Sequence, residues 1–276
     1  MRLLGKLDRR FFYVLLGLAI LIPVARPIGL PVDVTKTTEQ VMAEIEKIQP
    51  GDKVVYLYDI SISGAADVYP GVEITFEILM DRGAKVVCVA FVDQGAMFIN
   101  QSCRKWEAKG KVYGQDFVDL GYIVGGETAM SAFARDIRSL VSKDARGNDL
   151  SSLPIMQDTN SASDFVLGFH SITGVPGVEE WARQFYVPYK IRSIHVVNAN
   201  SITRIYPYLQ SGQTHGMLGS LKGAAELEKL ADKPGSAMAG MDAQSLGHYI
   251  IVLLMVLGNI KYWGDKRSGT ASGRGA

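Results

Sequence analysis

The sequence predicts an α/β protein: a doubly wound, mostly parallel sheet of about five strands, flanked by one apolar, membrane-spanning helix at each end. Three observations carry this reading. Runs rich in β-branched and aromatic residues alternate with helical patterns through the middle of the chain, an uncharged apolar run opens it, and a second lies near its close. The 276 residues are 47% hydrophobic, with 29 Lys plus Arg against 28 Asp plus Glu. So balanced a charge leaves no global basic field and argues against a nucleic-acid binder. Ample apolar content, glycine without a triplet period and only two cysteines, Cys88 and Cys103, exclude disordered, collagen-like and disulfide-scaffold classes.

At the N-terminus, Arg2, Lys6, Arg9 and Arg10 outnumber Asp8 across residues 1–10 and precede the apolar run Phe11–Ala25. A spanning helix needs roughly 20 residues, so a membrane segment is expected over 11–32, with Arg26 snorkelling to the surface. Pro23 and Arg26 crowd Ala25 where a small-x-small cleavage site would be needed, which favours an uncleaved signal-anchor. The second run, His248–Trp263, ends in Lys261, Tyr262 and Trp263, residue types that mark the exit from a bilayer. Its span is expected over 246–263, with Asp242 as N-cap and a tail at 264–276 carrying Lys266, Arg267 and Arg274. Positive charge at both ends places both termini in the cytoplasm, so residues 33–240 are expected outside a two-pass cell-membrane protein whose first partner is the lipid bilayer.

Within that central segment, Thr37-Thr38-Glu39-Gln40 is a capping-box pattern before the periodic helix Val41, Ile45, Ile48, and Pro50-Gly51 stops it. Val54–Tyr58 is the first strand, continuous in apolar residues as a strand covered on both faces should be. A helix over 68–82 leads through Gly83 to the strand Lys85–Val92, and a helix over 96–109 leads to a strand at Asp119–Val124. A helix over 127–141 and a polar loop at 144–162 follow. Asp164–Phe169 and Ile191–Val197 complete the set around a helix at 178–185, and 212–231 reads as one helix with Gly212, Gly216, Gly219 and Gly223. Parallel strands need crossovers, so this alternation is Rossmann-like, with the strand order open.

Several stretches resemble a family of uncharacterised prokaryotic membrane proteins with an N-terminal and a C-terminal transmembrane helix around an α/β domain. They are Asp8-Arg9-Arg10, Pro27-Ile28-Gly29-Leu30-Pro31, Gly121-Tyr122 with Gly125-Gly126, and Leu153-Pro154-Ile155-Met156. Further along come Tyr206–Gln213, Gly223-Ala224-Ala225-Glu226 and Met241–Leu246. The resemblance implies the architecture and carries no activity, cofactor or catalytic residue. Residues 59–69 (DISISGAADVY) depart from its pattern.

Open α/β sheets take ligands beyond the carboxyl ends of their strands. That rule selects Asp59, Ser61, Asp93, Glu127, His170 and Asn198 as a candidate ligand pocket, although caps and turns are the commoner use of such residues. A Ser-His-Asp hydrolase could draw on Ser61 or Ser63, His170 and Asp59, but no G-x-S-x-G elbow exists. Asp59, Asp93 and Glu127 suit a hard cation if they converge. Gly125-Gly126 before a helix could face an anion, but Glu127 opposes a phosphate, and neither G-x-G-x-x-G after a strand nor a Walker A motif occurs. No metal site is expected, since His170, His195, His215 and His248 are widely spread, and His195 reads as a core imidazole. Tyr208, Gln210 and Gln213 with Asp242 and Gln244 are candidate contacts to other membrane subunits. The reading leans away from an enzyme, towards a binding or assembly component of a membrane complex. The alternative is an anchored hydrolase or transferase, which requires Asp59, Asp93, Glu127 and His170 to meet.

Overall fold

The apolar run around Val54 has β-branched or aromatic residues at nearly every position, which suits a strand with no solvent face. In the structure, a computed structural model describing residues 9–267, it is β1 (Lys53–Asp59), buried almost throughout at the centre of a six-stranded sheet. In chain order the elements are α1 (Arg9–Ala25), α2 (Lys36–Glu46), β1, α3 (Ile62–Asp81), β2 (Lys85–Ala90), α4 (Gly95–Ala108), β3 (Phe117–Tyr122), α5 (Gly126–Arg135) and α6 (Ile137–Leu140). Three short 3₁₀ turns between Leu150 and Asp164 lead to β4 (Leu167–Ile172). Then α7 (Val178–Trp181) runs through a π-turn (Ala182–Tyr186) into α8 (Val187–Tyr189). The remainder is β5 (Ser193–Val197), α9 (Ile202–Gln210), β6 (Gly216–Gly219), α10 (Ser220–Leu230) and α11 (Ser236–Arg267).

Every strand pair is parallel, in the order β3-β2-β1-β4-β5-β6. Crossovers from β1 to β3 lie on one face, where α3 and α4 bury Phe76, Ile99 and Trp106 beside Tyr56, Cys88 and Phe169. From β3 onward they pass to the other face, where Phe133, Trp181 and Phe185 cover Val55, Leu57 and Val89. Both sheet edges are closed. A Cβ on Gly216 in β6 would lie 2.7 Å from Val41 of α2, so only glycine lets that helix sit against the edge. On the β3 edge, Ala145 N–H donates to Asp119 O and Gly114 N–H to Phe117 O. Covered edges remove the open ladder that invites aggregation.

The structure corrects several sequence expectations. The sheet has six strands, because 212–231 contains β6 before α10; Gly216, Gly219 and Gly223 serve close strand and helix contacts rather than one helix face. The helix expected over 127–141 ends at Arg135: Asp136 takes extended backbone and caps α6 through Arg138 and Ser139 N–H. The helix expected over 68–82 begins six residues earlier, at Ile62.

Two compact units divide the chain, Val32–Ala237 and the terminal segments either side of it. Among the described residues one helix, Ser236–Gly264, is long and apolar enough to cross a membrane, and only 11% of its most apolar stretch is buried. The span expected over 11–32 is thus not among the helices long enough to cross. Helix α1 stops at Ala25, where Arg26-Pro27 begins an extended segment, giving 17 residues or about 26 Å. The second apolar helix starts at Ser236, not 246, so Asp242 lies within it and is no N-cap. Its carboxylate instead accepts the N–H groups of Ile28 (2.7 Å), Gly29 (2.8 Å) and Leu30 (2.9 Å). The basic residues expected at 2 and 6 and in the tail beyond 267 lie outside the described residues.

Gly168 in β4 carries the indole of Trp181 so closely that a Cβ there would lie 2.0 Å from the ring. Gly168→Ala is therefore expected to destabilise the domain by about 1–3 kcal/mol, read as a lowered midpoint in urea denaturation of the detergent-solubilised protein.

Candidate functional site

Between β1 and β4 the crossovers leave in opposite directions, and this is where an open α/β sheet opens its ligand crevice. Asp59 ends β1 at that point, fully buried. One carboxylate oxygen accepts the Phe91 N–H at the exit of β2 (2.7 Å) and the other lies 2.8 Å from His170 Nε2 in β4. A carboxylate only accepts, so His170 presents Nε2–H to it, and in the neutral ring Nδ1 is a bare acceptor. That atom has no hydrogen-bond partner. The sequence-selected pair Asp59 and His170 does meet, but inside the sheet rather than in a cleft.

Above them the hydroxyls bind one another. Ser61 N–H donates to Thr173 Oγ1 (2.7 Å), Thr173 Oγ1 lies 3.0 Å from Ser61 Oγ, and Ser61 Oγ lies 3.1 Å from Ser63 Oγ. Gln94 Oε1 takes the Ile62 N–H that opens α3 (2.7 Å). This lacing closes the crevice with the chain's own groups, and the bare Nδ1 of His170 has no serine on it. A Ser-His-Asp relay is not assembled.

The other pocket candidates do not join the pair. Asp93 is exposed and accepts from Gln94 N–H. Glu127 takes a bidentate ion pair from Arg183 (2.7 and 3.0 Å) and a bond from Gln184 (2.9 Å), which holds its carboxyl down at about 2. Asn198 caps the turn at Ala199–Ser201 by accepting from Ser201 N–H. Of the four groups whose convergence the enzyme alternative requires, Asp59, Asp93, Glu127 and His170, only Asp59 and His170 meet. No cluster of three or more His, Cys, Asp or Glu suited to a metal ion occurs among the described residues.

Sequence reasoning left unlinked a row of polar groups buried beside the pair. His170 and His195 are paired in register on neighbouring strands, their ring centroids 5.7 Å apart, and both lie against Trp181. His195 Nε2 lies 3.2 Å from Ser193 Oγ, which is 3.2 Å from Thr214 Oγ1, while its Nδ1 has no partner. Burial, with His170 and then His215 adding to it, holds His195 well below the ordinary histidine range. Strand register gives the signal: alternate residues of β4 and β5 share a face, so His170 and His195 are neighbours once the strands are adjacent. A second buried carboxylate, Asp119 of β3, is raised by desolvation to about 6, partly offset by the Gly121 N–H it accepts (2.7 Å). Cys88 and Cys103 are buried free thiols whose pKa values burial pushes up.

Of the partner candidates, Tyr208 packs against the small cluster of Ile172, Val178, Ile205 and Met217, and its carbonyl accepts from Gln213 and Thr214 N–H. Gln210 and Gln244 are exposed. Asp242 is buried and wholly committed to Ile28–Leu30, so it offers no free carboxylate to a partner, contrary to expectation.

Two substitutions test this geometry. Asp59→Asn removes the charge that orients His170 and is expected to cost about 3 kcal/mol of stability in chemical denaturation. Asp119 binds its proton more tightly folded than unfolded, so its contribution is full below pH 3.8 and lost as pH rises through 6. Asp119→Asn is expected to raise the melting temperature at pH 8 and leave it unchanged near pH 3.5.

Compared with known protein families and with curated proteins, the sequence matches none. Among solved structures it is similar to the crystal structure of AibC, at 14% identity and a TM-score of 0.32, over 80% of this chain and 53% of that one. So slight a likeness carries no argument about fold or activity.

Proposed function

We propose that this protein is a membrane-anchored α/β domain that binds a protein partner, as a docking or assembly component of a membrane complex. One observation carries the reading: the carboxyl edge of the sheet is polar within, with its side chains bonded to one another, and apolar without. Asp59, His170, Ser61, Thr173, Glu127 and Asn198 all bond within the domain. The segments that follow β1 to β4, by contrast, expose Ile62 (62%), Met97 (51%), Val124 (76%) and Val175 (69%). Exposed large apolar residues at one end of a domain mark an interaction surface better than an active site. The alternative, an anchored hydrolase or transferase, would need a group that substrate can reach. Asp59 and His170 are fully buried.

The anchoring half of the proposal rests on α11, which exposes Tyr249, Val252, Leu253, Met255 and Val256 along its length. Burying such residues in hydrocarbon removes a large apolar area from water. Within the terminal unit, Asp242 ties the chain just after α1 to the second turn of α11, so that the two helices run antiparallel. This supports a two-pass hairpin with both ends cytoplasmic and the Val32–Ala237 domain outside, as the charge of the flanks suggests. It also fits the resemblance to two-anchor membrane proteins.

Single cysteines in a Cys88→Ala, Cys103→Ala background test the topology. An impermeant maleimide is expected to label Gln210→Cys in intact spheroplasts and Lys266→Cys only after permeabilisation; the reverse pattern removes the orientation. For the docking reading, photo-crosslinkers at Val124, Val175 and Gln210 are expected to capture one common protein in native membranes. Val124→Ser with Val175→Ser should lose that adduct without changing the melting temperature.

A further inference from the structure

The face of the sheet that holds the buried histidines has an unusual cover. Over β4 and β5 it consists of α7, the π-turn and α8, twelve residues from Val178 to Tyr189 with no long helix among them. A helical run of this length is marginal alone, and π-turns within helices are frequent at functional sites. The cover sits down through Trp181 on Gly168, with Phe185 stacked on the indole (centroids 4.4 Å, planes at 7°). From outside it is fastened by Arg183 to Glu127 and by Glu179 to Arg204, ion pairs on half-exposed guanidinium groups that contribute little in water.

Beneath Trp181, His195 has one nitrogen engaged with Ser193 and the other without a partner. A proton added there creates a second N–H and a full charge with no acceptor for either in an apolar setting. The groups around it supply no compensation. From β4 comes His170, whose own proton is directed at Asp59; from β5, Ser193; beyond β5, Thr214 and His215. Trp181 and Phe185 of the cover are uncharged. Asp59, the carboxylate of this layer, is committed to His170 and Phe91 N–H. Glu44 and Arg192 pair with each other near His215. The charges of the cover itself, Glu179, Glu180 and Arg183, pair outside it with Arg204, Glu127 and one another.

We propose that Val178–Tyr189 is an acid-released flap: protonation of His195 lifts Trp181 from Gly168 and exposes the Asp59–His170 pair to solvent. The open form takes up a proton near pH 6.5, as an exposed histidine does, and the closed form resists it. The sign follows from that asymmetry. The closed form is favoured above pH 6.5, and each unit below it raises the opening equilibrium about tenfold for one proton. Release of this segment precedes global unfolding, because α3 and α4 on the opposite face hold no buried histidine.

Hydrogen–deuterium exchange on the full chain in detergent micelles, corrected for intrinsic rates, tests this between pH 7.5 and 5.0. Amides of 178–189 are expected to lose protection about tenfold per pH unit below 6.5 while those of Ile62–Asp81 stay unchanged. His195→Gln, which keeps a bond to Ser193 and cannot titrate, is expected to flatten the response; His215→Gln is expected to retain it. The proposal is overturned if protection of 178–189 is independent of pH, if all elements open together, or if His195→Gln keeps the wild-type slope. Should His195→Gln not fold, the wild-type slope and the comparison with α3 decide the matter.

Discussion

The carboxylate of Asp59 is the constraint around which the domain is arranged. In a doubly wound sheet the first strand is where neighbouring connections part to opposite faces, leaving a gap at its carboxyl end. Here one buried side chain spans that gap, holding the exit of β2 through Phe91 N–H and β4 through His170. Burying a carboxylate is costly unless its oxygens are satisfied, and once they are, removing either partner costs far more than the pair is worth. The crevice is therefore built into the fold's own stability.

A second set of buried carboxylates governs how the domain is tethered. Glu226 in α10 takes Thr35 N–H (2.9 Å), Thr35 Oγ1 and Thr38 Oγ1 (2.6 Å each), and the Thr hydroxyls help hold its pKa down against desolvation. Two residues on, Glu228 takes the N–H groups of Gly235 and Ala237, and Lys229 Nζ donates to Val32 O. One helix thus grips both the segment entering the domain and the segment leaving it. These acceptors meet the N-terminal N–H groups of α2 and α11, where an anion is favoured by the exposed donors and the helix dipole alike.

Much of the fold was legible because it rests on periodicity. The β1 and β2 runs are continuous in apolar residues, and the helices between them show a 3.6-residue pattern. What was not legible depended on partners distant in sequence. Gly216–Gly219 reads as helix because four residues with two glycines carry no strand pattern; Ile194–Val197 beside it and Val41 against its edge make it a strand. Asp242 reads as a cap because it precedes an apolar run, but the helix had already begun and its acceptors serve Ile28–Leu30, more than two hundred residues away. The candidate site divides in the same way. Asp59 was selected by a strand-end position that the fold keeps, whereas His170, expected just past its strand, lies within β4 and meets Asp59 through strand pairing. Asp93, Glu127 and Asn198 were selected by the same rule and fell to local capping and to Arg183, which only the folded chain reveals.

The shortness of α1 is a weaker objection to a membrane hairpin than its length alone implies. At about 26 Å against a hydrocarbon core of about 30 Å, the deficit is a few ångströms, and bilayer thinning or flanking side chains absorb that at a fraction of a kcal/mol per Å. Against this stands the apolar surface of Phe11, Val14, Leu18, Leu21, Ile22 and Val24, each around half exposed or more. At about 25 cal/mol per Å², hiding even one such side chain outweighs a mismatch of that size. The three N–H groups given to Asp242 add a further requirement: they fix where α1 ends along α11, so a helix that stayed in water would have to leave its neighbour's apolar face in water too. Within the terminal unit the two helices are thus joined at one carboxylate, and among the described residues α11 alone has the length to cross a membrane.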